Sequence, residues 1–442
     1  MTHPYAMRRT VLLALAGASV LALAVLVVHR MGQTPAPSSG DESTPPLSRA
    51  ELAPHDDAPA EPPTPAIAGL DVLRMSASDG ALTAPAGAGT AQLTLDAELQ
   101  HTALGLMNAH RLPEAAVLVM DVATGKLLVY ASHVEKGPPR DLCAEATAPS
   151  ASVFKVVTAA TLIEEAHLGP DTKQCYSGGE QRINSIDLVD DPQRDRWCTT
   201  LAGAMGRSIN TVFARLAKER LVPRQLEAMA RRFGYGEPFA FDVPVQPSAL
   251  HVPSEPLEFA RTAAGFWNTT LSPLQALEMS AVVARDGEAV RPGIAEKVVS
   301  GTGSVIWTAP DAPASRRVVG HDTATQLTTM MEHTVSEGTC WRAFHDGRGA
   351  AFLPGISVAG KTGTLTDGET QRYYTWFTGF APSRPQPGLR QVAVAVLVVN
   401  GPSWQVKANV IARDILRAYF AAHDAQGVTR PSVSAIARHH RR

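Results

Sequence analysis

Residues 151–167 read ASVFKVVTAATLIEEAH and predict a buried helix that begins with a serine. Most of these residues are helix formers, and the apolar ones leave little polar face before Glu164, which is typical of a buried helix. Lys155 is the only charge in the first turns, and it follows Ser152 by three residues. Both side chains therefore project from the same face of the helix.

A lysine beside a serine in apolar surroundings has a chemical use. A serine hydroxyl is a weak nucleophile unless a base lies next to it, and burial lowers the proton affinity of an ammonium group so that it can become that base. Taken alone, however, Ser-x-x-Lys is a short pattern. A helix-capping serine with a lysine that reaches out to solvent explains it more simply.

The pattern on either side of this helix predicts strands at both ends of a helical middle. Residues 115–121 and 127–132 form a predicted hairpin, and the stretch 201–288 is helical in pattern but broken by prolines. Further strands are predicted at 355–364, 373–381 and 391–399, before a helix that carries Val406, Val410, Ile411, Ile415 and Phe420. Such an arrangement suggests one composite domain.

Two further motifs favour a catalytic reading of the serine. Ser208-Ile209-Asn210 is the only Ser-x-Asn in the chain, and Lys361-Thr362-Gly363 is the only Lys-Thr-Gly. With these three motifs in this order, the chain resembles the penicillin-recognising serine enzymes, and in particular the transpeptidase domain of penicillin-binding proteins. Similar segments lie at 93–96, 99–100, 121–125, 272–275, 337–339 and 376–382, so the resemblance covers roughly residues 93–423.

The resemblance implies a fold. In that family the three motifs converge on one cleft, and Lys-Thr-Gly lies on the edge of a central antiparallel sheet. We therefore expect an α/β protein of the α+β type, β-lactamase/transpeptidase-like, in which helices flank the sheet and a helical subdomain is inserted.

The resemblance also implies a role for each motif residue. Ser152 would attack the carbonyl between the two terminal D-alanines of a peptidoglycan stem peptide, and Lys155 would take its proton. Ser208 would relay a proton toward the leaving amine, beside the positive charge of Lys361. Asn210 would fix Lys155 and the substrate amide by hydrogen bonds.

The strand that carries Lys-Thr-Gly would bind the substrate. The backbone N–H groups of Ser152 and Thr364 would form an oxyanion hole, and the hydroxyls of Thr362 and Thr364 would hold the substrate carboxylate. Gly360 and Gly363 would give the strand an edge without side chains, which a substrate backbone could approach closely. Ser150 and Ala151 stand where many members of the family have a glycine-containing turn.

These roles predict a D,D-transpeptidase that cross-links stem peptides and is acylated by β-lactams as covalent inhibitors. A D,D-carboxypeptidase would differ only in that water takes the acyl group. A serine β-lactamase of the oxacillinase sort is a second alternative, although that group usually carries Val where Asn210 stands. A penicillin-binding sensor without turnover is a third. None of these readings implies a cofactor.

A rival motif overlaps the same residues. Residues 355–362 read GISVAGKT, which matches the phosphate-binding loop of nucleotide hydrolases. That loop needs a helix that opens at its Lys-Thr, whereas Gly363 and strand-like sequence follow here.

The N-terminal part predicts export of the remainder. Residues 11–28 contain neither charge nor proline and follow Arg8 and Arg9, which indicates a transmembrane anchor with its N-terminus inside, or else a cleaved signal peptide. We therefore predict a stub and anchor at 1–30, a disordered Pro/Ala-rich linker at 31–91, an extracytoplasmic transpeptidase domain at 92–425 and a basic tail at 426–442. This plan has no room for a glycosyltransferase or a full pedestal domain, but other cell-wall synthesis proteins are candidate partners.

Charge and cysteine content bear on three further properties: nucleic-acid binding, disulfide bonds and metal binding. The net charge of −2 gives no overall positive field for nucleic acid. Exported thiols tend to pair, and four cysteines allow three connectivities. We expect a Cys175–Cys198 bridge across one turn-rich stretch and a Cys143–Cys340 bridge. Metal binding is disfavoured, because the cysteines and histidines lack close ligand spacing.

Overall fold

A computed structural model of the chain describes residues 67–78, 80–179, 182–311, 314–367, 371–402 and 406–423. The predicted anchor, most of the predicted linker and the predicted basic tail lie outside the described residues. Among the described helices, none combines the length and the apolar character that crossing a membrane requires.

The strands are β1 (Ser76–Ser78), β2 (Ala81–Ala86), β3 (Gly89–Leu93), β4 (Glu114–Asp121), β5 (Leu127–Val134), β6 (Ala148–Pro149), β7 (Lys173–Tyr176), β8 (Trp197–Thr200), β9 (Thr270–Leu271), β10 (Glu288–Val290), β11 (Ala295–Ser300), β12 (Val305–Thr308), β13 (Ser315–Arg317), β14 (Ala359–Asp367), β15 (Arg372–Ala381) and β16 (Val392–Asn400).

The α-helices are α1 (Ala97–Ala109), α2 (Lys155–Ala166), α3 (Leu201–Arg207), α4 (Asn210–Arg220), α5 (Pro223–Arg232), α6 (Pro256–Ala263), α7 (Pro273–Ala284), α8 (His321–Ser336), α9 (Trp341–Phe344) and α10 (Ala408–His423). Single turns of 3-10 helix occur at Val72–Arg74, Ala151–Phe154 and Ser185–Leu188.

The central sheet is antiparallel, with the strand order β14-β15-β16-β4-β5. Alternate residues of β4 enter different apolar clusters: Ala116 and Leu118 pack on one face, and Val117 and Val119 pack on the other. Helices α2, α4, α7 and α8 contribute to the first cluster, while α1 and α10 contribute to the second. The predicted central antiparallel sheet with flanking helices is therefore confirmed.

The predicted hairpin and the predicted buried helix are both confirmed. Strands β4 and β5 pair through a turn at Gly125, where φ is +74° and a Cβ would lie 2.7 Å from the Arg291 carbonyl oxygen. Glycine meets both constraints of this turn. The residues of α2 from Lys155 to Ile163 are all buried.

A second sheet shows that the folded part of the chain begins earlier than predicted. Strands β1, β2 and β3 pair with β11 and β12 in the order β1-β2-β3-β11-β12. Leu82, Ala84 and Ala86 alternate toward the core along β2. The predicted end of the linker at residue 91 is therefore wrong, because alanines at the buried positions give only a weak alternating pattern.

One of the two expected disulfides is present. Cys175 and Cys198 are bonded and join the paired strands β7 and β8. The expected Cys143–Cys340 bridge is wrong, because both of these cysteines are buried free thiols. Cys143 lies in the apolar cluster on one face of the central sheet, and Cys340 lies in the cluster on the other face.

The cysteine arrangement predicts two reactive thiols in the unfolded, unreduced protein and four after reduction. The Cys175–Cys198 bridge spans 23 residues, and a crosslink of that span stabilises a folded chain by about 3 kcal/mol, mainly by restricting the unfolded state. Replacing both bridged cysteines with serine should lower the free energy of unfolding by about that amount, as measured by urea denaturation.

The doubly substituted protein should also become insensitive to reductant. A thiol count of zero in the unreduced wild type would contradict this assignment of free and bonded cysteines.

Candidate active site

Ser152 lies in the turn of 3-10 helix that leads into α2. The residue before it, Ala151, is buried and has a φ of +49°, a left-handed conformation that costs roughly 1 kcal/mol outside glycine. Two glycines pack against this residue. A Cβ on Gly265 would lie 2.3 Å from the Ala151 carbonyl oxygen, and one on Gly363 would lie 3.2 Å from the Ala151 Cβ.

Hydrogen bonds hold the same turn from outside. The indole Nε1 of Trp376 donates to the Pro149 carbonyl at 2.9 Å, and the Tyr235 hydroxyl donates to the Ser150 hydroxyl at 3.1 Å. Ser152 therefore keeps a fixed position although the turn before it has no glycine. The surrounding structure imposes the left-handed conformation on Ala151.

The Lys155 amine is completely buried and lies within hydrogen-bond distance of three oxygens. Its Nζ lies 2.7 Å from Ser152 Oγ, 2.7 Å from Asn210 Oδ1 and 2.5 Å from the Ala264 carbonyl oxygen. Burial, and secondarily the charge of Lys361, hold the pKa of Lys155 well below its usual range. A neutral amine at this distance can accept the hydroxyl proton of Ser152. The interpretation of Lys155 as a lysine that reaches out to solvent is wrong.

Ser208 and Asn210 approach from the helical half of the molecule. Ser208 caps the C-terminus of α3 with a φ of +58°, and Asn210 is the first residue of α4. The short connection between the two helices thus places Asn210 against Lys155 of α2 and Ser208 against Lys361 of β14.

Lys361 comes from strand β14 of the central sheet and contacts Ser208. Its amine is buried and lies 2.9 Å from Ser208 Oγ and 2.8 Å from the Thr362 carbonyl oxygen. Burial lowers the pKa of Lys361 to about 7. The five predicted catalytic residues therefore fall into two hydrogen-bonded groups. Lys155 contacts Ser152 and Asn210, and Lys361 contacts Ser208.

Thr362, Gly363 and Thr364 continue along β14, which is the edge strand of the central sheet. Thr364 is exposed and Thr362 is half-buried.

The phosphate-loop interpretation is wrong, because Lys361 and Thr362 lie within a strand rather than at the start of a helix.

The glycines of β14 also pack closely against aromatic residues of the neighbouring strand β15. A Cβ on Gly360 would lie 2.5 Å from the Phe377 ring, and one on Gly363 would lie 3.2 Å from the Trp376 side chain. A side chain at position 360 would therefore clash with Phe377, and one at position 363 would be tightly packed.

Sequence reasoning missed two contributors to the site. The Ala264 carbonyl accepts a hydrogen bond from Lys155, and a backbone acceptor leaves no sequence signal. Thr339 Oγ1 lies 2.6 Å from Thr362 Oγ1. Thr339 belongs to a segment that contributed to the family resemblance, but sequence alone gave it no role.

A family model and several known proteins match the chain. The family described as penicillin binding protein transpeptidase domain matches residues 115–417. Stage V sporulation protein D of Bacillus subtilis is 26% identical over 339 residues, which are 72% of this chain and 50% of that protein. A peptidoglycan D,D-transpeptidase, PbpA of Mycolicibacterium smegmatis, is 27% identical over 65% of this chain and 62% of that protein. The chain thus spans 50% and 62% of the length of these two curated relatives.

Solved structures share the fold. The D,D-transpeptidase domain of a peptidoglycan glycosyltransferase from Eggerthella lenta superposes with a TM-score of 0.62 at 25% identity, over 75% of this chain and 83% of that one. Penicillin-binding protein A of Mycobacterium tuberculosis, as an imipenem acyl-enzyme complex, gives a TM-score of 0.58 at 23% identity over 75% and 79%.

The depressed pKa of Lys361 predicts that raising the pH stabilises the wild type relative to Lys361→Met. In the folded protein this pKa is about 7, whereas an unfolded lysine titrates near about 10.4. Between these values the unfolded chain binds more protons. The free energy of unfolding therefore rises with pH, by on the order of 1 kcal/mol per pH unit.

Urea denaturation of both proteins from about pH 7 to 10 measures this difference. The cost of burying the ammonium is complete below the folded pKa and disappears above the unfolded one. A difference between the two proteins that stays constant over this range would show that Lys361 keeps an ordinary pKa.

Proposed function

Since the chain belongs to the penicillin-binding protein transpeptidase family, we propose that it cross-links peptidoglycan as a D,D-transpeptidase, through an acyl-enzyme on Ser152. The observation that carries this proposal is the 2.7 Å contact between Ser152 Oγ and the buried amine of Lys155. A hydroxyl and a lysine of depressed pKa at hydrogen-bond distance are the two parts that an activated serine nucleophile needs.

The first half-reaction forms the acyl-enzyme. Ser152 Oγ attacks the carbonyl carbon between the two terminal D-alanines while its proton passes to Lys155. Backbone N–H groups of Ser152 and Thr364 stabilise the developing oxyanion. The carbon–nitrogen bond then breaks, and the leaving D-alanine takes a proton from Ser208, which Lys361 at 2.9 Å can replace.

The second half-reaction reverses these proton movements. An acceptor amine attacks the acyl carbon and gives its proton to the Ser208–Lys361 pair, while Ser152 recovers its own proton from Lys155. Both lysines return to their starting states, so the cycle balances without a cofactor. Asn210 Oδ1, at 2.7 Å from Lys155, keeps the amine aligned with Ser152 throughout.

Substrate binding uses the edge of β14. We assign the terminal carboxylate of the stem peptide to the hydroxyls of Thr362 and Thr364, with Lys361 beside them. The substrate backbone would pair along the edge strand. β-Lactams carry a carboxylate next to a reactive amide, and they would acylate Ser152 by the same route.

We place the folded domain outside the cytoplasm, attached to the membrane through the predicted segment at residues 11–28 and a linker shorter than first predicted. The Cys175–Cys198 disulfide supports export, because such bonds persist mainly in oxidising compartments.

Labelling with a fluorescent penicillin tests the nucleophile. The full chain in detergent should become covalently labelled, and Ser152→Ala should lose the label because no acyl-enzyme can form. Ser336→Ala, which changes an exposed serine of α8, is the matched control and should label like the wild type. Undiminished labelling of Ser152→Ala would overturn the site assignment.

Turnover of a pentapeptide then identifies the acyl acceptor. With a donor pentapeptide and an acceptor amine, we expect a cross-linked product together with released D-alanine. Release of D-alanine without the product would indicate a carboxypeptidase. Hydrolysis of the penicillin would indicate a β-lactamase, and labelling without any turnover would indicate a sensor.

A further inference from the structure

Thr339 connects the two walls of the cleft. It follows α8, and its backbone N–H donates to the Gly206 carbonyl at 3.0 Å, near the end of α3 and two residues before Ser208. Its side-chain Oγ1 lies 2.6 Å from Thr362 Oγ1 on β14. One residue thus contacts both the segment that carries Ser208 and the strand that carries Lys361.

The position of Thr339 is set by backbone packing rather than by its side chain. A Cβ on Gly338 would lie 2.1 Å from the Gly206 carbonyl oxygen, and a Cβ on Gly206 would lie 2.8 Å from the His333 carbonyl carbon. Only glycines allow these segments to approach so closely. Because the Thr339 side chain is exposed, shortening or replacing it should leave this packing intact.

Either hydroxyl of this pair can donate to the other, and one of the two directions suits anion binding. A threonine hydroxyl has one proton and two acceptor sites. If Thr339 donates its proton to Thr362 Oγ1, the proton of Thr362 is free to point into the cleft. A hydroxyl that already accepts a hydrogen bond is also a stronger donor. The order Thr339, Thr362, carboxylate is therefore a continuous chain of donors that ends on the anion.

We propose that Thr339 is a positioning residue that orients the Thr362 hydroxyl toward the terminal carboxylate of the substrate. This inference rests on the proposed function, in which Thr362 binds that carboxylate. It adds a specificity determinant outside the three motifs: Thr339 favours substrates with a free C-terminal carboxylate over those without one.

The test compares two thioester analogues of the stem-peptide terminus, one with a free carboxylate and one with that group converted to a carboxamide. Thr339→Val keeps the shape of threonine but removes the hydroxyl. It should lower kcat/KM for the carboxylate substrate by about tenfold, mainly through a higher KM, and should change the carboxamide substrate less than about twofold. Thr339→Ser should restore most of the loss.

Two controls separate positioning from a structural role. Thr325→Val removes an exposed hydroxyl from α8 and should match the wild type with both substrates. In a Thr362→Val background, Thr339→Val should cause no further loss, because the hydroxyl that it orients is gone. A further tenfold loss would mean that Thr339 binds the carboxylate directly, and it would overturn the positioning role.

The remaining outcomes also decide the proposal. An equal loss on both substrates, or no loss on either, would overturn it. Should Thr339→Val unfold, as judged by its thermal transition, Thr339→Ala removes the same hydroxyl with a smaller side chain and replaces it in the comparison. Failure of the proposed function itself would appear differently, as a wild type that neither substrate acylates.

Discussion

The buried amine of Lys155 is the interaction on which the rest of the site depends. Its three hydrogen-bond partners come from three separate parts of the chain: Ser152 before α2, Asn210 at the start of α4, and the Ala264 carbonyl after α6. Burying an amine is costly unless its donors are satisfied, so these contacts also hold the three segments together. The same burial depresses the pKa of Lys155, and it thereby links the packing of the domain to the chemistry of its serine.

The second constraint is the close approach of backbones around Ser152. Gly265 presses on Ala151 from one side, and Gly363 of β14 packs against it from the other. The lack of side chains at these two positions lets the segment after α6 and the edge of the central sheet lie close to the turn that carries the nucleophile. At Thr339 the chain uses the same device, since Gly338 and Gly206 bring α8 and α3 into backbone contact. Glycines therefore allow the segments that carry the site residues to approach one another closely.

Much of this could be predicted from sequence where the pattern was strong. The apolar run after Ser152 and the alternation of β4 and β5 predicted the helix and the hairpin. Strand β2 was missed because its buried positions include two alanines. The Cys143–Cys340 pairing was wrong because the two cysteines lie in apolar clusters on opposite faces of the central sheet, which the sequence does not reveal. The Ala264 carbonyl could not be predicted, since a backbone acceptor carries no residue identity.

The most direct test of the central claim is the pKa of Lys155 itself. The lysine side chains can be labelled with 13C at Cε, and the Lys155 resonance can be assigned by its absence in Lys155→Met and followed by NMR during a pH titration of the unacylated protein. The account predicts a titration midpoint well below the ordinary lysine value of about 10.4, because the amine is buried. A Lys155 resonance that titrates in the ordinary range would contradict it.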